Sequence, residues 1–462
     1  MRIIVSFDTE DFTDPASNDA LLRICQTLTA RGVHASFGLV GEKARFIRDE
    51  GRWDVIDALR EHQICYHSDN HFLFPDDRHP LRFASEIVEK CDWDEAVRWL
   101  VATEARGLAD IEGLFGYRPT TFLRTCGDHA AQMLAAYRQL GLKTFAYYSY
   151  QAGDDITAQH ISRFCDMVCI SLPLVREELT YTGQGPAELD RLAVEGESLI
   201  NVRFHPCRFI ADSWWSLATF AGVPNPRTRP PYEIVEHVAP EETDSRLAYL
   251  GALVDYARDR HGATFTTYDE VTDETAKDPV WLTPAQVLEA ARAVRRQLSF
   301  ADVGGVTLTL AESFAAITWA NLHLGAEHVP LRKIIGPVEL PPTHTASVAS
   351  SAAEIGEACR AVEDWIACKG RVPDAVSLGG ARVAPAAYLR AAAARLLGEQ
   401  HVQVEPAGPF PDGMDDALRR WDQYDINVLC WFVERERHMP RAALAVKLQY
   451  WTYKPVSLSG RA

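Results

Sequence analysis

A chain of 462 residues, 47% of them hydrophobic, has length enough for two or three domains and a sizeable core. Its formal net charge of -17 argues against nucleic-acid binding, which rests on neutralising phosphates, and against adhesion to anionic membranes. No run of about 18 apolar residues occurs, so no membrane-spanning helix is expected.

The N-terminal MRIIVSFDTEDF passes from Met into a β-branched run without an apolar leader core or a small-residue cleavage site, which predicts a cytoplasmic protein. The 10 cysteines form no CxxC and no regular framework, so they read as reduced, mostly buried thiols. From the start to about residue 275, β-rich runs alternate with helical stretches. RIIVSF reads as a buried strand, and residues 19–31, DALLRICQTLTAR, carry apolar positions at helical spacing. VHASFGLVG is the next strand and DVIDALREH the next helix; further strands are TTFLRT, KTFAYY, MVCISLP, LINVRFHP and ATFTTY, with HAAQMLAAYRQLG as a helix between two of them. Such alternation implies parallel pairing through helical crossovers, and about seven units predict a closed or nearly closed α/β barrel. In barrels of this kind the chemistry gathers at the C-terminal ends of the strands.

Polar residues do gather there. The first strand ends in Phe7-Asp8-Thr9-Glu10-Asp11, the third unit in EHQICYHSDNH (61–71), TTFL in Arg124, and LINVRF in His205-Pro206. His67 and His71, four apart, would share one face of a helical turn and could reach one cation. Each residue alone has a structural reading: Asp11 as a turn cap, Arg124 as a surface cation, His205 as a residue placed by the following proline. Four strand ends delivering titratable or cationic groups to one rim point together to a metal-dependent hydrolase.

These residues resemble the polysaccharide deacetylases of the NodB-homology fold, carbohydrate esterase family four. The family's second motif, roughly His-Glu-Ile-Gly-X-His-(Ser/Thr)-X-X-His, stands here as His62-Gln63-Ile64-Cys65-Tyr66-His67-Ser68-Asp69-Asn70-His71. VHASFGLVGEKA (33–44) looks like its second strand, FLRTCGDHAAQMLAAYRQLGLKTFAYYS (122–149) resembles its third motif, and FHP (204–206) its last. The resemblance covers about residues 1–275. It implies a distorted (β/α) barrel holding a divalent transition metal, with zinc expected, and an activity that hydrolyses an N-acyl amide, most often N-acetyl on an amino sugar. Asp8 is then the base, His205 the acid that protonates the departing amine, Arg124 the cation that keeps the base ionised, and the backbone N–H of Gly127 an oxyanion donor.

The first motif departs from the commonest form, Thr-Phe-Asp-Asp-Gly, because Thr9 follows Asp8. Asp8-Thr9-Glu10 instead matches an Asp-X-Glu branch. Residues two apart on a strand share a face, so Glu10 can join Asp8 in one site, whereas Asp11 starts on the other face. The expected metal ligands are therefore Glu10, His67 and His71, with Asp11 as the alternative carboxylate. Thr125-Cys126-Gly127 replaces a proline-containing run, and the family's later Asp has only Asp154 and Asp155 as candidates, which also read as a solvated turn. Tyr147, Tyr148, Tyr150, Trp214 and Trp215 flank the rim and could present faces to a sugar or pack in the core. Cys65, Cys126 and Cys207 adjoin motifs, and packing is their default reading.

TDETAKDPV, around residues 272–280, reads as a linker. Residues 276–462 then predict a mainly helical domain with an approximate internal duplication, since LTPAQVLEAARAVRRQL and GGVTLTLAESFAAITWANLHL parallel SSAAEIGEACRAVEDWIACKGRVPDAVSLGGARVAPAAYLRAAAARLL. The second copy is similar to pseudomurein-binding repeats through Val372-Pro373-Asp374-Ala375-Val376 and Gly379-Gly380. Such a domain could pack on the barrel, shape its groove or support a homodimer. The tail ALAVKLQYWTYKPVSL looks like a closing strand. The expected partner is a small-molecule or oligosaccharide substrate. A glycan- or glycopeptide-binding protein without catalysis, or a hydrolase of a non-sugar amide, is the alternative. Base, ligands and acid retained together argue against pure binding, and the full histidine pair argues against loss of the metal.

Overall fold

The computed structural model describes residues 1–71, 84–125, 130–147, 159–220, 231–343, 346–423 and 440–458. Among the described residues the first half supplies ten strands: β1 (Arg2–Thr9), β2 (Ser36–Leu39), β3 (Gln63–Tyr66), β4 (Thr121–Leu123), β5 (Thr144–Ala146), β6 (His160–Phe164), β7 (Met167–Ser171), β8 (Leu174–Arg176), β9 (Leu199–Phe204) and β10 (Thr264–Thr266). The sheet runs β6-β7-β5-β4-β3-β2-β1-β9-β8, with β10 also on β1. Every pairing from β5 to β8 through β1 is parallel, as helical crossovers require. The exception is β6 against β7, which are antiparallel. Only Cys165 and Asp166 separate those two strands, too few residues for a crossover, and Cys165 takes φ 55° in the tight turn. Tyr147, just after β5, bonds through its hydroxyl to Ser6 of β1 at 2.6 Å, although β4, β3 and β2 lie between. The sheet is thus curled into an α/β half-barrel.

Strand alternation sorts the residues into two faces. Ile3, Val5 and Phe7 of β1 point outward into the core shared with the helices, where Phe7 stacks on Phe37 and Phe204 at 4.7 and 5.5 Å. The inner face begins apolar, with Ile4, Cys65, Leu123, Ala146, Ile170 and Leu199 packed together. Towards the C-terminal ends it turns polar: Ser6, Asp8 and Glu10 follow Ile4, and Asn201, Arg203 and His205 follow Leu199. Gly38 on this face lies close beneath Leu123, and a Cβ there would meet Leu123 Cδ1 at 2.8 Å and oblige that side chain to shift.

The second half contains one unit twice. The first runs β11 (Trp281–Leu282), helix Pro284–Arg296, hairpin β12 (Ala301–Val303) and β13 (Val306–Leu308), helix Leu310–Leu322 and β14 (Val329–Pro330). The second runs β15 (Val348–Ser351), helix Ala352–Lys369, hairpin β16 (Val376–Leu378) and β17 (Ala381–Val383), helix Pro385–Leu396 and β18 (His401–Val404). In each, the first and last strands pair antiparallel. The hairpin turns are Gly304-Gly305 (φ 54° and 81°) and Gly379-Gly380 (φ 56° and 77°), conformations that glycine adopts without strain. Thr283, Thr309 and Ser351 close capping boxes at three of the four helix starts. The two units share one core, in which Phe314 and Tyr388 lie 5.2 Å apart.

The tail returns to the first half. Helix Pro440–Leu448 leads to β19 (Tyr453–Pro455), which pairs antiparallel with β6 and forms an edge of the barrel sheet. Lys454 of β19 reaches Asp278 at 2.8 Å and Glu312 at 3.0 Å, and Arg163 of β6 joins Asp278 at 3.1 Å. These ion pairs, shielded from water, tie the edge of the barrel to the helical half. Among the described residues no helix is long and apolar enough to cross a membrane.

Candidate functional site

Glu10 follows the inward face of β1. Its Oε2 lies 2.7 Å from His71 Nε2 and 3.5 Å from His67 Nε2. The three residues are buried and their ligand atoms lie within 4.8 Å of one another. Asp11 is turned away. Its Oδ1 accepts from the N–H and hydroxyl of Thr13, both at 2.9 Å, and from the Asp14 N–H at 3.2 Å, a local turn that occupies this oxygen. The two imidazoles are therefore brought to Glu10 and not to Asp11, as the strand alternation predicts.

The histidines do not share a helical turn, contrary to the expectation from their spacing. Residues 67–71 form a loop in which Ser68 and His71 take φ 69° and 56°, and this left-handed backbone swings the second imidazole back onto the first. Such strain persists where surroundings enforce it. The N–H groups of Gly41 and Glu42 donate to the Ser68 and Asp69 carbonyls at 2.9 and 2.7 Å. Arg45 holds the Asp69 carboxylate at 2.7 Å. Glu104 accepts from the Asp69 N–H at 3.0 Å and the Tyr66 hydroxyl at 2.5 Å, and burial pushes its carboxyl up to about 8. A Cβ at Gly41 would meet Asp69 Oδ1 and Gly107 Cα, each at 2.7 Å, so the helix start can approach the loop only as glycine. His67 Nδ1 sits 2.8 Å from the Leu123 carbonyl, which can only accept. Nδ1 therefore carries a proton, and Nε2 is the nitrogen that faces Glu10.

Asp8, two residues before Glu10, faces His205 with Oδ2 3.4 Å from Nε2. On its far side His205 is gripped by Glu177, whose Oε1 lies 3.1 Å from Nδ1 and whose Oε2 accepts the His205 N–H at 2.8 Å. Burial works against the His205 charge, but Glu177 first and Asp8 second outweigh it and raise the imidazole to about 10. Asp8 is itself buried, which would raise its pKa, yet the charges of His67, His205 and Arg203 and the His205 hydrogen bond together bring it below the ordinary value. Its Oδ1 is buried with no hydrogen-bond partner among the described residues. The result is an ionised carboxylate with an open oxygen beside a protonated imidazole. Glu10 is likewise held well below the usual carboxylate range: burial opposes this, and His71, the hydrogen bonds of both imidazoles and His205 overcome it.

Arg124 lies buried just beyond β4, its N–H donating to the Ala146 carbonyl at 3.3 Å. Arg203, which shares the inner face of β9 with His205 and lies 4.8 Å above the Tyr147 ring, is one guanidinium whose charge bears on Asp8. Gly127, with Cys126, Tyr148, Tyr150, Asp154 and Asp155, lies outside the described residues. Tyr147 is 5% exposed and belongs to the barrel interior, so its face is not open to a sugar. Trp214 walls the site, its ring 4.5 Å from that of His205. Trp215 is buried, and its indole N–H donates to Glu10 Oε1 at 2.9 Å. Cys65 and Cys207 are buried, with thiols pushed far above their ordinary value by burial, which agrees with packing.

The sequence motifs alone point to neither Glu177 nor Arg203, nor to the hydrogen bond between Trp215 and Glu10. Arg203 carried a signal: in LINVRFH the residues Asn201, Arg203 and His205 alternate with apolar ones, marking a polar inner face. Glu177 carried none, because β8 reaches β9 only through the sheet pairing.

No protein-family model matches the chain, and none of the curated proteins matches it. Among solved structures it is similar to a CE4-family pseudoenzyme from Bacillus anthracis, at 13% identity and TM-score 0.32, over 60% of this chain and 67% of that one. It is also similar to the peptidoglycan deacetylase PdaC from Bacillus subtilis, at 15% identity and TM-score 0.31, over 59% and 90% of the two chains. A family 4 carbohydrate esterase from Streptomyces lividans, in complex with acetate, shows 14% identity and TM-score 0.31 over 58% and 92%. Likenesses this weak argue nothing about activity, and the chemistry is read from the residues themselves.

Proposed function

We propose that the chain is a metal-dependent hydrolase that removes an N-acyl group, with N-acetyl on an amino sugar or a soluble glycoside as the expected substrate. The observation that carries this reading is one rim holding two separate devices: the Glu10–His67–His71 cluster and the Asp8–His205–Glu177 chain beside it. The cluster suits a divalent metal because it is buried, offers two nitrogens and one oxygen, and has one tautomer set by the Leu123 carbonyl. Such a metal, zinc being the expected one, would polarise the acyl carbonyl and lower the pKa of the attacking water.

The remaining steps belong to this chain's side chains. Asp8 takes the proton of the attacking water at its unpartnered Oδ1. As the water oxygen bonds to the acyl carbon, the Gly127 N–H implied by the motif resemblance would stabilise the oxyanion. When the C–N bond breaks, His205 gives its Nε2 proton to the leaving nitrogen, so water and amide become a carboxylic acid and a free amine. Glu177 keeps that imidazole charged and oriented. Arg203 and the imidazole favour the ionised form of Asp8. Trp214 covers one side of His205 and limits water around the transferring proton.

Acetate release from a panel of N-acetylated amino sugars, nucleotide sugars and glycosides, with Zn2+- or Co2+-loaded protein, tests the reading. Turnover of at least one member that is lost on chelation and restored by metal is expected. A panel turned over equally well by chelated protein would overturn the metal-dependent mechanism.

A further inference from the structure

The metal carboxylate is held by more than its histidines. Glu10 divides its two oxygens: Oε2 faces His71 and His67 at 2.7 and 3.5 Å, while Oε1 accepts the Trp215 indole N–H at 2.9 Å. The indole nitrogen can only donate, so this bond occupies one of the lone pairs of Oε1. Trp215 is 1% exposed, begins the helix Trp215–Phe220, and lies edge-on to Phe12 at 4.8 Å in a small cluster with Val40 and Cys207. Its ring centroid is 6.0 Å from that of His71. A side chain so enclosed has little freedom to give up the bond, and the Glu10 rotamer is fixed with it.

We propose that Trp215 is a positioning residue that reserves Oε1 and makes Glu10 a one-oxygen ligand, an inference that rests on the metal reading above. With one oxygen committed to the indole, the protein offers two nitrogens and one oxygen. The remaining coordination positions stay open for water and the acyl oxygen, as a catalytic site needs. Freed from the indole, Glu10 could engage through both oxygens and fill a position that substrate requires.

Trp215→Phe removes the N–H and keeps an aromatic ring against Phe12. Co2+ is the probe: its visible absorption responds to coordination number, and its titration gives a Kd without any turnover. The variant is expected to bind Co2+ about ten-fold or more weakly, with an altered visible band. Phe12→Leu disturbs the same packing but leaves the indole bond, and is expected to keep the wild-type band. Trp215→Phe with wild-type Kd and band would overturn the inference, as would an equal change in both variants. Wild-type protein that takes up no Co2+ would instead remove the metal reading beneath it. Should Trp215→Phe not fold, wild-type protein decides: Co2+ should strongly shift an indole N–H resonance and slow its exchange, and indole resonances that Co2+ leaves unmoved would contradict the proposal.

Discussion

Asp8→Asn is expected to lower kcat/KM by about 10²–10⁴-fold, the usual worth of a positioned general base, while metal content stays at the wild-type level. Asparagine keeps the size and shape of the side chain but cannot take a proton from water. The unpartnered Oδ1 then becomes an oxygen or nitrogen of no basicity in the same place. Because Asp8 is not among the three clustered ligands, the variant separates proton transfer from metal binding. The loss should fall in kcat more than in KM, since the base acts in the transition state and not in ground-state binding. Near-wild-type turnover with full metal content would remove Asp8 from the role.

Glu177→Gln should move the alkaline limb of the pH profile to lower pH. The acid acts as imidazolium, present below its pKa and lost above it. With Glu177 in place His205 is raised to about 10, so its proton is available across the neutral and mildly alkaline range. Glutamine keeps the acceptor for the His205 N–H and removes the charge that raises the imidazole most. The pKa then falls back towards the ordinary imidazole value of about 6.5. Activity at pH 9 should fall much more than at pH 6, and a profile of kcat/KM from pH 5 to 10 reads this directly. The same shift bears on stability: a histidine raised in the folded state stabilises it fully below the unfolded pKa and loses that contribution as pH rises through about 10. The variant should therefore lose stability against wild type most clearly below pH 6. An alkaline limb unmoved by the substitution would mean that Glu177 only packs against His205.

The parts of this site legible in the sequence are those carried by local pattern. RIIVSFDTE places Asp8 and Glu10 on one face through the two-residue period of a strand, a rule that needs no tertiary information. The strand-end rule likewise gathered His67, Arg124 and His205. What escaped depends on contacts between distant segments. Glu177 meets His205 only because β8 pairs beside β9. Trp215 reaches Glu10 across 205 residues of sequence. The spacing of His67 and His71 suggested a helical turn, and the structure brings them together through left-handed backbone at Ser68 and His71 instead. That geometry is enforced by Gly41, Arg45 and Glu104, none of which the spacing could reveal. In the second half, paired glycines mark both hairpin turns, whereas the return of β19 to the edge of the barrel could be read only as a strand without a partner.

Glu10, His67 and His71 are proposed to hold a divalent metal. Elemental analysis of purified wild-type protein beside the His67→Ala/His71→Ala double variant tests it most directly. About one transition metal per chain is expected in the wild type and none in the variant, which should retain its circular dichroism. Equal metal in both proteins would overturn the ligand assignment, and wild-type protein that neither carries metal nor takes it up on reconstitution would leave the chain without a metal centre.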